Sequence, residues 1–134
     1  MELIIDANVL ISALISTKGR TYDLIFNDRL KLFSPEYLME EFNKYRDDIL
    51  SKSGLDEVDF ELFMSLISSR IEFIPKFEFK QFISTAEDIT PDPDDAEYFA
   101  LALRYRCALW SNDKKLKEQD KVRVYSTNEI IKMI

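Results

Sequence analysis

Short apolar runs alternate with longer amphipathic segments along the whole chain. Five short runs predict buried strands, over residues 3–5, 30–33, 71–74, 107–110 and 122–125. The segments that follow them predict helices, over residues 8–15, 21–28, 35–54, 56–69, 78–88, 95–105, 114–117 and 127–134. Short apolar strands that alternate with helices are typical of an α/β fold, in which helices cover both faces of a parallel sheet.

The helix predicted over 35–54 has the clearest local signals. Ser34 and Pro35 are typical of an N-cap and a first helical position, and Gly54 is expected to end the helix. Its apolar residues are four, three and four positions apart, which predicts one buried face. These residues are Leu38, Phe42, Tyr45 and Ile49. Apolar residues also recur along one side of the next helix, at Val58, Leu62 and Leu66, and we expect that side to pack in the core or against a second copy.

The composition limits the chemistry that the chain can perform. Its 134 residues suit one domain, spanning 1–134. There is no histidine, which excludes every Ser-His or Cys-His triad and removes the commonest general base. The single cysteine, Cys107, lies in an apolar run and is interpreted as a core thiol. Because the chain starts without a basic region or a long apolar stretch, we expect a cytoplasmic protein.

The net charge of −7 also bears on function. Proteins that bind nucleic acid by electrostatics alone usually carry an excess of positive charge, so this balance counts against a simple binder. An acidic chain can still act on nucleic acid when several of its carboxylates surround divalent cations, since each bound cation reverses the local field.

Acidic residues follow two of the predicted strands and begin one of the helices. Asp6 comes directly after the first strand, and Asp113 follows the fourth. Asp94 and Asp95 stand where the helix after the loop TPDPDD begins. Because ligands gather at the carboxyl ends of parallel strands, we expect these carboxylates to face one crevice.

A fourth acid is predicted from the geometry of a helix. Glu41 falls only about 60° from the direction of the buried face, whereas Glu40 points nearly opposite. A carboxylate at the edge of a buried face is costly unless it is paired or bound to a metal. Mg²⁺ and Mn²⁺ prefer oxygen ligands and can activate water for hydrolysis without any histidine. These acids are therefore candidate metal ligands.

Each acid also has a purely structural interpretation. Asp6 would be the N-cap of the following helix, and Asp113 would be a turn residue. One of Asp94 and Asp95 is expected to cap its helix, which leaves the other free for chemistry. Glu41 would be a surface acid paired with a neighbouring side chain.

Four stretches of the sequence resemble the motifs of the PIN-domain family. LIIDANVLISAL resembles the start of a PIN domain, and SPEYLMEEFNKY resembles its second motif, with the match on Glu41. DPDDAEYFALAL resembles the third motif and matches Asp95, while ALWSNDKKL resembles the fourth and matches Asp113. The resemblance extends from residue 3 to residue 125.

The resemblance implies a PIN fold, a three-layer sandwich with a five-stranded parallel sheet flanked by helices. It implies that four carboxylates form a catalytic pocket for Mg²⁺ or Mn²⁺, namely Asp6, Glu41, Asp95 and Asp113. It also implies that Asn8 and Ser111 lie beside this pocket. Asp94 and Asn112, each next to one of the matched acids, are further candidates for positioning roles.

The function that the resemblance implies is metal-dependent cleavage of RNA, as an endoribonuclease. Many PIN domains are toxins of toxin–antitoxin pairs, so an antitoxin partner and a homodimer are also expected. Lys residues after Asp113 and the basic pair after the first helix are candidate phosphate contacts. They are Lys114, Lys115, Lys117, Lys18 and Arg20.

Three other functions share part of this pattern. A phosphatase of the aspartyl-phosphate type also starts with Asp after the first strand, but it usually has a second Asp where this chain has Asn8. A phospho-acceptor signalling domain would have an acidic pair after that strand, and the chain has one acid there. A non-catalytic nucleic-acid-binding or regulatory module of the PIN type would be expected to lack one of the four acids, and none is missing.

Overall fold

The computed structural model describes residues 1–134, which form one five-stranded sheet with helices around it. The strands are β1 (Glu2–Ile5), β2 (Lys31–Pro35), β3 (Ile71–Ile74), β4 (Ala108–Trp110) and β5 (Val124–Tyr125). Their order in the sheet is β3-β2-β1-β4-β5, and every neighbouring pair is parallel. The α/β class and the five-stranded parallel sheet are therefore confirmed.

Eight α-helices connect and flank the strands. They are α1 (Ala7–Ile15), α2 (Arg20–Ile25), α3 (Tyr37–Lys44), α4 (Arg46–Ser53), α5 (Glu57–Ser68), α6 (Ile83–Ile89), α7 (Ala96–Tyr105) and α8 (Thr127–Met133). Short 3₁₀ turns occupy Lys76–Glu78, Lys80–Phe82, Pro93–Asp95 and Lys114–Glu118. Helix α1 contacts α2, α3, α4 and α5, while α7 packs on β1, β2 and β4 and against α6. None of the helices combines the length and apolar composition that crossing a bilayer requires.

The central strand β1 carries the most deeply buried part of the core. Leu3, Ile4 and Ile5 have no exposed surface, because β2 and β4 pair with both edges and helices cover the faces. An apolar run without alternation is what a strand buried on both faces requires. Since β1 is fixed on every side, the residue that follows it starts from a rigid position.

The predicted start of the third helix is wrong. Ser34 and Pro35 belong to β2, where they pair with Phe73 and Ile74 of β3. The buried Ser34 hydroxyl donates a hydrogen bond to the carbonyl of Ile5 at 2.9 Å. Sheet pairing therefore prevails over a local helix-start signal, and α3 begins two residues later with no side-chain cap.

The predicted helix over 35–54 is divided into α3 and α4. Tyr45 lies between them with φ −116° and ψ 12°, outside helical geometry, and its side chain is 56% exposed rather than buried. The change of direction lets α4 pack against both α1 and α5. Ile49 is buried from α4, as Leu38 and Phe42 are from α3.

One of the two expectations for the apolar side of α5, packing in the core, is wrong, while packing against a second copy stays a prediction. Val58, Leu62 and Leu66 are exposed, and the core is filled by Phe60, Met64 and Ile67 instead. The helix has apolar residues on two sides, so its sequence period alone cannot select the side that faces the sheet.

Candidate active site

Asp6 lies at the centre of the site because it directly follows the central strand. Its backbone is extended, with φ −94° and ψ 171°, and its Oδ1 accepts the N–H of Val9 at 3.0 Å, so it is the N-cap of α1. The residue is only 3% exposed. The neighbouring Ser111 side chain acts to lower the pKa of this carboxyl. The predicted cap is thus present, and it coexists with burial among other acids.

Ser111 and Asp113 are brought to Asp6 by strand β4. Trp110, the last residue of β4, is the register partner of Ile5, so the residues after both strands are adjacent. Ser111 is buried, and its Oγ accepts the N–H of Asp113 at 3.1 Å. Asp113 Oδ1 accepts the N–H of Lys115 at 3.0 Å, so Asp113 has the turn role that its sequence position allowed.

Asn112 connects this loop to helix α8. Its Nδ2 donates to Thr127 Oγ1 at 3.0 Å, and its Oδ1 accepts the N–H of Thr127 at 2.8 Å. The indole N–H of Trp110 donates to the same Thr127 Oγ1 at 3.0 Å. Thr127 was not among the residues predicted from sequence, since a Thr in a helix's first turn carries no functional signal. It holds the loop that carries Asp113.

Glu41 reaches the site from α3. Its side chain is half-buried while Glu40 is exposed, as the helical geometry predicts. Glu41 Oε1 accepts a hydrogen bond from the hydroxyl of Tyr98 on α7 at 2.5 Å. Its partner is therefore a buried residue of another helix, and not a surface neighbour.

Asp94 and Asp95 occupy different environments. Asp94 is exposed, whereas Asp95 is half-buried at the start of α7 and its side chain makes no cap hydrogen bond. Asp92 caps the preceding 3₁₀ turn instead, by accepting the N–H of Asp94 at 3.0 Å. The expectation that Asp94 or Asp95 must cap the helix is wrong, because the chain enters α7 through this extra turn.

The electrostatics couple these acids to one another. Burial raises the pKa of Asp6 to about 6, although the Ser111 side chain and the hydrogen bond from the Val9 amide act to lower it. Burial also raises the pKa of Asp95 to about 7, and the charge of Asp6 adds to this shift. Glu41 and Asp113 contribute to both shifts, so the four carboxylates share one field. Such a cluster is unfavourable as four bare anions and favours a cation.

Comparisons with known proteins agree with this architecture. The family model described as "PIN domain" matches residues 4–129. The chain belongs to the PIN-domain family. PIN domains are generally nucleases, and they generally use divalent metals. Among curated proteins, none matches the sequence significantly.

A solved structure with the same fold is that of VapBC2 from Rickettsia felis bound to a DNA fragment from their promoter. The similarity covers 94% of this PIN domain and 98% of that chain, with a TM-score of 0.65 and 16% sequence identity. At that identity the likeness supports the shared fold.

The acids of this PIN domain offer the kind of ligand atom that a hard cation prefers, but their spacing does not bring three of them to one ion. All four side chains offer carboxylate oxygens, the ligands that Mg²⁺ and Mn²⁺ prefer. No group of three or more acidic, histidine or cysteine side chains is placed to hold one ion together. Mg²⁺ commonly binds through one or two carboxylates and keeps several waters, so a pair of these acids is enough to fit it.

The basic candidates differ in their distance from the acids. Lys18 and Arg20 come after the far end of α1, a helix of nine residues that extends about 13 Å from Asp6. Lys114 and Lys115 are exposed directly after Asp113. Lys117 pairs with Glu129 of α8. Lys114 and Lys115 are therefore better placed than Lys18 and Arg20 to contact a phosphate at the acidic cluster.

Neither Asn8, which is predicted to lie beside the pocket, nor Cys107, which is predicted to be a core thiol, is fully buried. Asn8 is exposed in the first turn of α1, two residues after Asp6. Cys107 is half-buried at the start of β4, and burial raises the pKa of its thiol to about 11.

A cavity of about 760 Å³ lies at the opposite edge of the sheet, near Glu2 and Arg106, away from the acids.

Proposed function

We propose that this PIN domain is a metal-dependent endoribonuclease that hydrolyses phosphodiester bonds in RNA. The observation that carries the proposal is the convergence of four carboxylates from distant parts of the sequence at the carboxyl edge of the sheet. These are Asp6, Glu41, Asp95 and Asp113. Burial raises the pKa values of two of them, Asp6 and Asp95, toward neutrality. Such shifts are typical of functional sites and are not expected of acids on the surface.

Asp6 and Asp95 are the proposed ligands for Mg²⁺ or Mn²⁺, and Glu41 and Asp113 are the proposed partners of the waters that the ion keeps. A bound divalent cation would activate a water molecule and neutralise the charge that develops on the scissile phosphate. The carboxylates by themselves repel a phosphate anion, so RNA is expected to approach only when their charge is compensated.

The residues of the chain have separate tasks in this reaction. The Val9 amide holds the Asp6 carboxylate in one orientation, and the neighbouring Ser111 side chain favours its ionised form. A water oxygen forms a bond to phosphorus while the bond from phosphorus to one ester oxygen breaks. Glu41 or Asp113 accepts one proton of that water, since both are more exposed than Asp6, and the departing ester oxygen takes up a proton from solvent. Lys114 and Lys115 would contact the phosphates that flank the cleaved bond.

RNA rather than DNA is proposed because the sequence motifs resemble those of PIN ribonucleases. The same resemblance supports a role as the toxin of a toxin–antitoxin pair, with an antitoxin protein and a second copy of the chain as partners. Expression of the wild-type chain should then arrest growth and reduce translation in a test host. The Asp6→Asn chain, expressed at the same level, should do neither.

The direct test is cleavage of labelled RNA and DNA oligonucleotides in Mg²⁺, in Mn²⁺ and in EDTA. We expect RNA to be cut only with a divalent cation, and Asp6→Asn to abolish the cut. Glu41→Gln should also lose activity, whereas Glu40→Gln, the adjacent exposed acid, should retain it. A folded wild-type chain that cuts none of the panel under any metal would contradict the proposal and favour a non-catalytic binding module.

A further inference from the structure

A buried tyrosine makes the one side-chain hydrogen bond that Glu41 receives. Tyr98 is 1% exposed, and its hydroxyl donates to Glu41 Oε1 at 2.5 Å. The bond joins α7 to α3, across 57 positions of sequence. Neither the motifs in the sequence nor the family match assigns a role to this residue.

The hydroxyl of Tyr98 is not needed to fill the core. A phenylalanine ring would occupy the same space, and burying a hydroxyl costs free energy unless it finds a partner. Tyr98 also packs against Tyr37, with ring centroids 6.3 Å apart, so its ring is held from a second side. A rigid ring that ends in a hydrogen-bond donor is well suited to fix the orientation of a carboxylate.

The bond determines which oxygen of Glu41 is available to a ligand. Oε1 is occupied by Tyr98, whereas Oε2 makes no hydrogen bond within the protein. Tyr98 lies three residues after Asp95 on α7, so the two side chains are on neighbouring parts of one helix face. One helix therefore carries an acid of the cluster and the donor that holds another acid.

We propose that Tyr98 is a positioning residue of the metal site, whose hydroxyl holds Oε1 of Glu41 and leaves Oε2 free for a cation or for a water that the cation would keep. This inference rests on the proposed function, since it assumes that Glu41 contributes to binding Mg²⁺ or Mn²⁺. Tyr98 itself is buried and contacts neither RNA nor the ion. Partners that orient metal ligands in this way typically affect metal affinity by about 10- to 100-fold.

The test is Mn²⁺ binding to Tyr98→Phe, measured without RNA by the electron paramagnetic resonance signal of free Mn²⁺. We expect the Mn²⁺ dissociation constant to rise by about tenfold, near the lower end of the range for such partners. The matched control is Tyr105→Phe, which removes the hydroxyl that donates to Glu78 Oε2 at 3.2 Å outside the acidic cluster. Its Mn²⁺ affinity should equal that of the wild type.

Cleavage assays provide a readout that a loss of stability would not move. The Mn²⁺ concentration for half-maximal cleavage should rise in Tyr98→Phe, while the KM for RNA at saturating Mn²⁺ stays unchanged. Excess Mn²⁺ should restore the rate of Tyr98→Phe but not that of Glu41→Gln. A defect that excess Mn²⁺ does not restore would overturn the positioning role.

A double mutant gives a second measurement. If Tyr98 acts through Glu41, then Tyr98→Phe should cause no further loss of Mn²⁺ affinity in a chain that already carries Glu41→Gln. Independent losses, or wild-type affinity in the single variant, would overturn the inference while the nuclease proposal stands. A wild-type chain that binds no Mn²⁺ would instead overturn the metal-dependent function and the role of Tyr98 with it.

Discussion

Ile5 and Trp110 are register partners at the ends of two adjacent parallel strands, and the residues that follow them are neighbours in the site. Asp6 follows Ile5 and Ser111 follows Trp110, so the pairing of β1 with β4 sets the distance between the acid and the serine. The most buried carboxylate of the cluster is therefore oriented by the sheet itself. Replacement of the Asp6 carboxylate by an amide should affect catalysis without preventing folding, because an amide can keep the contacts that the carboxylate makes.

Asp6→Asn is expected to abolish cleavage while it stabilises the metal-free fold at neutral pH. Asn caps helices about as well as Asp and can still accept from Val9, but it carries no charge to be buried. We expect a loss of at least about 100-fold in rate and a higher melting temperature in EDTA at pH 7.5. The control is Asp56→Asn, which alters the exposed cap of α5 and should leave the rate unchanged. A lower melting temperature for Asp6→Asn would contradict this account.

The stability of the metal-free chain should fall as the pH rises from about 4 to 7. Burial raises the folded-state pKa of Asp6 to about 6 and that of Asp95 to about 7, from 3.8. Within this window the folded state binds more protons than the unfolded state, so the free energy of unfolding decreases with pH. Urea unfolding in EDTA at several pH values would measure it. The decrease should be smaller in Asp6→Asn, and equal slopes would show that Asp6 does not contribute.

Divalent cations should reverse this loss of stability. A ligand that binds only the folded state stabilises it by about 2.7 kcal/mol at a concentration of 100 times its dissociation constant. Because the acids must be ionised to bind, the rise in melting temperature with Mn²⁺ should be larger at pH 7.5 than at pH 5. The reference is the melting temperature in the same buffer with EDTA and no added divalent cation. An equal rise at both pH values would indicate binding outside the acidic cluster.

Asp95→Asn and Asp94→Asn should have different effects on cleavage. Asp95 is half-buried and coupled to Asp6, whereas Asp94 is exposed. We expect Asp95→Asn to lower the rate by at least about 100-fold and Asp94→Asn to change it by less than about threefold. Rates at saturating Mn²⁺ would measure the difference. Loss of activity in Asp94→Asn alone would assign the metal ligand to the other residue.

Thr127→Val should destabilise the fold through the loop that carries Asp113. The substitution keeps the shape of the side chain but removes the oxygen that accepts hydrogen bonds from Trp110 and Asn112. The buried indole N–H would lose its partner, which costs about 1–3 kcal/mol. Urea unfolding would measure this cost. Thr90→Val, at an exposed hydroxyl that donates to the Asp92 carbonyl, is the control and should have a much smaller effect.

The sequence alone predicted the parallel sheet because five short, mainly apolar runs alternate with helical segments, and the run of the central strand, residues 3–5, is uninterrupted as burial on both faces requires. It also placed Asp6 and Asp113 after their strands, and it selected Glu41 over Glu40, because each position follows from local periodicity. These features depend on residues close together in the sequence. Their roles in metal binding and cleavage remain predictions.

Only the tertiary structure decided the features in which distant segments compete for the same residues. Ser34 and Pro35 have a local helix-start pattern, yet pairing with β3 makes them strand residues. Helix α5 has two apolar sides, and packing chose Phe60 over Val58 for the core. The hydroxyl of Tyr98 and the Thr127 side chain acquire their partners from other elements, 57 and 15 residues away. Local propensity could not select these outcomes, because the free energy that decides them comes from contacts formed only when the chain has folded.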